Sequence, residues 1–95
     1  MEIRWTENAA NDLAEIVAYI ERDHPEATRR TASQIFDAAS SLATHPMQGR
    51  LNKHNGSREL VVQNIPHLID YDLSEHEVFI LRVRHGARDL PGVSR

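Results

Sequence analysis

The feature that most constrains how this chain can fold is a change of period at Gly49. Before it, apolar residues recur at steps of three and four; after it, they alternate with polar ones. A helical stripe and a pleated strand cannot stand in for each other, because they return side chains to the same face at different intervals. Helices therefore belong to the first half and a sheet to the second. Ninety-five residues supply one core between a helical layer and a sheet and are too few for two, so a single domain over 1–95 is expected.

Within the first half, "EIRW" alternates Ile3 and Trp5 with polar neighbours, a short strand pattern. Thr6 suits an N-cap, and Ala9, Leu13, Ile16, Val17 and Ile20 then draw a helical stripe. Pro25 stops that helix and fits the first position of the next, whose stripe is Ala32, Ile35, Phe36, Ala39, Leu42 and Ala43. Two amphipathic helices joined by a tight corner form an antiparallel hairpin. After Gly49, "SRELVV", "PHLIDYDL" and "EVFILRVRH" are strand-like runs separated by turn-length segments. The expected fold is α+β, in the order β-α-α-β-β-β, with the hairpin on one face of a small twisted antiparallel sheet.

Composition narrows the function classes. The chain has no cysteine, which removes disulfides and thiolate metal ligation. No histidine pair has the spacing of a metal site, so no metal and no cofactor is expected. No apolar run approaches membrane-spanning length, and "MEIRWTENAA" lacks the build of a signal peptide, so a cytoplasmic protein with no membrane partner is expected. The net charge of −3 hides an asymmetry: residues 1–49 carry four Arg against eight acids, a balance of −4, whereas residues 50–95 carry seven Lys/Arg against six acids, a balance of +1. Any affinity for nucleic acid must then be local.

The cations gather at the end of the last strand, in "ILRVRHGARDLP". Strict alternation puts Ile69, Tyr71 and Leu73 with Phe79, Leu81 and Val83 on the face that meets the helices. Leu68, Asp70 and Asp72 then share the open face with Ile80, Arg82 and Arg84. Matching the apolar positions sets Tyr71 against Leu81, Asp70 against Arg82 and Leu68 against Arg84. Arg82 and Asp70 are then expected to form a structural cross-strand ion pair of about 0.2–1 kcal/mol. Arg84, facing Leu68, is expected to be free for a target, and His85 to sit at the core edge.

The element order, the "GR" of Gly49 and Arg50, "SRELVV", "IPHLIDYDL" and "ILRVRHGARD" together resemble the RelE/ParE superfamily of toxins from type II toxin–antitoxin systems. The resemblance covers nearly the whole chain. It implies a growth-inhibiting toxin held inactive by an acidic antitoxin encoded beside it, with operator DNA contacted only through the toxin–antitoxin complex. RelE-like members are ribosome-dependent mRNA endoribonucleases with an arginine in a penultimate-strand pattern similar to Y-R-L-V-Y. Aligning that pattern on Tyr71 places Leu68 at the arginine. ParE-like members, which act on DNA gyrase, lack that arginine and often end the last strand with R-V-x-H, matched here by Arg82, Val83 and His85.

Metal-free RNA cleavage needs a base for the 2′-hydroxyl, cations for the developing phosphorane charge and an acid for the leaving oxygen. The candidates are Arg58, Arg84, His85 and Arg88, with Lys53 and His67 as further groups, while Asp70 and Asp72 on the same face would repel a phosphate backbone. A gyrase-directed toxin needs only a docking surface, for which Arg84, His85, Arg88, Arg50 and Lys53 are the expected target-binding residues. The sequence favours the gyrase-directed mode. The endoribonuclease stays as one alternative, and a degenerate toxin that only binds its antitoxin as another.

Overall fold

In a computed structural model of the chain, residues 1–86 are described, and they form seven elements. These are β1 (Glu2–Trp5), α1 (Glu7–Asp23), α2 (Pro25–Ser41), β2 (Arg50–Leu51), β3 (Arg58–Val61), β4 (His67–Leu73) and β5 (Glu77–His85). Thr6 caps α1 as its position predicts, since its Oγ1 accepts from the Ala9 amide at 3.2 Å. The same hydroxyl donates to the Ile80 carbonyl at 2.7 Å, so one residue starts the helix and ties it to the sheet. His24 ends α1, and Pro25 opens α2 at once, which makes the hairpin corner tight.

The five strands form one sheet in the order β1-β5-β4-β3-β2. Strands β2 to β5 pair antiparallel, as the alternation and short turns predict. Two features go beyond that expectation. Residues 50–51 form a two-residue strand against β3, and β1 joins β5 in parallel, making the sheet mixed. A parallel partner needs a long crossover, and here the whole helical hairpin, with the β2–β4 meander, lies between β1 and β5 in sequence.

The core joins Ala9, Ile35, Ala39 and Leu42 of the helical layer to Leu60, Val62, Ile69, Tyr71, Val78, Ile80 and Val83 of the sheet side. Each large aliphatic side chain buried this way contributes about 1.5–3 kcal/mol. Two expectations about β5 are corrected here. Tyr71 faces Ile80 and not Leu81, because the register slips by one residue between Asp70/Arg82 and Tyr71/Ile80, leaving Leu81 as the extra residue of a bulge. Ile80 is accordingly fully buried, whereas Phe79 and Leu81 are only partly covered. Strict alternation could not bury Val78, Ile80 and Val83 together; one inserted residue reverses the parity and lets all three face the helices.

Tyr71 also fixes the chain reversal after α2. Its buried hydroxyl donates to the Pro46 carbonyl at 2.7 Å and accepts from the Gly49 amide at 2.9 Å. A Cβ at Gly49 would lie 2.6 Å from that oxygen and 2.7 Å from the ring, so glycine is required by close approach. The point where the period changes is thus the point where the chain crosses the tyrosine tip.

Candidate functional site

Register rows across the sheet organise the charged residues. On the open face Arg50, Glu59, Asp70 and Arg82 occupy one row across β2, β3, β4 and β5, and Leu68 and Arg84 face each other in the next. Glu59 and Asp70 therefore stand side by side, an arrangement of like charges that is unfavourable unless a cation bridges them. Arg84 is that cation. Its Nε donates to Asp70 Oδ2 at 2.6 Å, and its Nη2 donates to Asp70 Oδ1 at 2.9 Å and to Glu59 Oε2 at 2.6 Å. The hydrogen bond Arg84 donates to Asp70 raises the Arg84 pKa above the ordinary arginine value; burial opposes it, and the charge of Asp70 and the contact with Glu59 add to it.

The expectation that Arg84 is free for a target is therefore corrected. Facing Leu68 leaves its own rung without a partner, but a strand arginine also reaches diagonal neighbours, and the fork fits two carboxylates. The expected Asp70–Arg82 ion pair is corrected with it. The two residues do face each other in register, yet the Arg82 guanidinium turns to Asp12 of α1, with Nε to Oδ2 at 2.7 Å and Nη2 to Oδ1 at 3.1 Å. Asp12 Oδ2 also accepts from the Val83 amide at 2.9 Å, which fastens α1 to β5 just beyond the bulge. The partners missing from the sequence reading are thus Asp12 and Glu59. Glu59 could have been found from the alternation of β3, which sets it opposite Leu60; Asp12 lies next to the apolar stripe of α1, and only the docking of that helix brings it to β5.

The remaining candidates do not converge on one point. Arg58 donates from Nη1 to the Gly49 carbonyl at 2.9 Å and so braces the chain reversal. Arg50 is largely exposed and, among the described residues, makes a long contact of 3.4 Å to Glu59, and Lys53 is exposed in the turn that follows β2. His85 lies opposite His67 on the core side, their rings meeting edge-on with centroids 5.2 Å apart. Adjacent strand residues start toward opposite faces, so His85 leaves β5 on the core side and Arg84 on the open side, although both residues border the groove beside α1. Arg88 lies outside the described residues. Among the described residues no group of three or more His, Cys, Asp or Glu is placed to hold a metal ion, and no helix is long and apolar enough to cross a membrane.

A groove of about 770 Å³ opens between α1 and the last residues of β5. Ile16, Tyr19 and Ile20 of α1 form one wall, and Val83 and His85 with Arg82 form the other. Its apolar wall belongs to the same stripe that defines α1. Ala9 alone of that stripe is fully buried, so the far end of the helix keeps a half-exposed apolar face.

With this geometry in place, comparison with known proteins gives a consistent result. The family described as "ParE toxin of type II toxin-antitoxin system, parDE" matches residues 3–90. Y4kP of Sinorhizobium fredii is 43% identical over 96% of this chain and 94% of its own length. Toxin RelE2 of Caulobacter vibrioides is 41% identical over 92% of this chain and 97% of its own. A solved structure described as the chromosomal ParDE TA system from P. aeruginosa superposes with a TM-score of 0.80 at 25% identity, covering 90% of this chain and 95% of that one. The chain belongs to the ParE toxin family of type II toxin–antitoxin systems.

Proposed function

We propose that this toxin arrests growth by binding DNA gyrase rather than by cleaving mRNA, and that an acidic antitoxin encoded by the adjacent gene holds it inactive. The observation that carries this reading is the dispersal of the nuclease candidates. Arg84 is tied to Asp70 and Glu59, His85 packs edge-on against His67, and Arg58 braces a turn. Cleavage requires a proton acceptor and a charge stabiliser within about 3 Å of the same reacting atoms. A docking toxin has no such requirement.

The antitoxin contact is supported by the half-exposed apolar stripe of α1 along the groove beside β5, which suits the apolar face of an amphipathic segment. Operator DNA is then met through the toxin–antitoxin complex, in the cytoplasm. Supercoiling by purified gyrase, with and without the toxin, tests the target directly; inhibition relieved by the antitoxin is expected. Primer extension on transcripts from induced cells is the counter-assay, and discrete cuts within A-site codons would overturn the gyrase reading. Unimpaired growth at verified expression would leave antitoxin binding as the protein's whole activity.

A further inference from the structure

The open face holds enough arginine to grip a phosphate backbone, and it holds the means to prevent this. Arg50, Glu59, Asp70 and Arg82 form one row, and Arg84 is inserted between the two carboxylates at 2.6–2.9 Å. Both carboxylate side chains and the arginine are about four-fifths covered, with 20–22% of their side-chain surface exposed. The three groups therefore interact through little water. We infer that Glu59 and Asp70 are specificity-determining residues, which close on Arg84 and withhold the open face from nucleic-acid phosphates. This rests on the reading that the toxin does not work on RNA.

A phosphate approaching Arg84 must displace two carboxylates that already occupy the fork, and it meets their charge at the same point. Asp72 extends the acidic face one position further along β4. Across the sheet, Arg82 is held by Asp12. A face with this composition repels RNA despite its arginines. Asp70 takes Nε and one hydrogen of Nη2, and Glu59 takes the other hydrogen of Nη2, so the two carboxylates together saturate that edge of the guanidinium.

The test uses the full chain and a labelled single-stranded RNA of about 20 nucleotides, followed by fluorescence anisotropy at about 50 and 200 mM salt. The wild type is expected to bind weakly. Glu59→Gln with Asp70→Asn, which keep the shapes and remove the charges, should tighten binding about tenfold at the lower salt, and the gain should vanish at the higher salt. Adding Arg84→Ala should abolish it. Folding is checked by circular dichroism, and if the double variant melts, Asp70→Asn alone should still tighten binding about threefold. A weakly binding wild type with no gain in either variant would overturn the inference and leave the gyrase reading standing. A gain that survives Arg84→Ala would overturn it too, because Arg84 would not be the group released. A wild type that binds as tightly as the double variant would overturn the inference and count against the gyrase reading as well.

Discussion

The two faces of this sheet alternate along the same strands, yet different physics fixes them. On the core face, Ile69, Tyr71, Val78, Ile80 and Val83 are set by exclusion of water, which is non-directional and accepts an inserted residue so long as the apolar side chains still meet the helices. On the open face, Arg82 and Arg84 are set by which carboxylate each fork can reach, and a difference of one rung changes the partner. The lesson is that polarity predicts which face a residue occupies once the parity is right, whereas ion-pair partners depend on packing elsewhere.

The strongest way to break this comparison is through the bulge. Ile80→Ala should cost about 2–5 kcal/mol, while Phe79→Ala should cost less than about 1.5 kcal/mol, since Ile80 is fully buried and Phe79 is not. Urea unfolding of both variants measures this, and a larger loss at Phe79 than at Ile80 would mean that β5 runs in strict alternation.

On the open face, Arg84→Ala should destabilise by about 2 kcal/mol by leaving Glu59 and Asp70 as adjacent, unbridged charges. Adding Glu59→Gln should recover part of that loss, a non-additivity visible in thermal melts. If Arg84→Ala melts like the wild type, the bridge contributes nothing and Arg84 is free after all.

Tyr71→Phe tests where the two halves of the chain join. Losing the hydroxyl leaves the Gly49 amide and the Pro46 carbonyl without it, at about 1–2 kcal/mol, or roughly 4–16 °C in melting temperature. A melt unchanged within error would show that water replaces the hydroxyl there.

The smallest effect is expected at Arg82, whose side chain is half exposed. Arg82→Ala should cost no more than about 1 kcal/mol, because Asp12 keeps its bond to the Val83 amide. Asp12→Ala removes both contacts and should cost more, about 1–2 kcal/mol. Reversal of that order in chemical denaturation would show that the ion pair, not the backbone contact, fastens α1 to β5.

The elements that rest on local chemistry were legible from the residues alone. The Thr6 cap, the Pro25 corner, the two helical stripes and the three longer strands follow from capping, backbone restriction and period, all readable within a few residues. The expected pairs Asp70–Arg82 and Leu68–Arg84 also occur, but through the bulge and not the turn, which by itself sets Tyr71 against Ile80. Only the tertiary structure decided the rest. The bulge at Leu81 is set by how much of β5 the helices can cover, and the parallel docking of β1 by where the hairpin returns the chain. The partners of Arg82 and Arg84 depend on Asp12 and Glu59, 70 and 25 residues away; the alternation of β3 marks the face of Glu59, and nothing local marks Asp12. An arginine's availability to a target is a property of every carboxylate within reach of its fork, and that set exists only after the chain has folded.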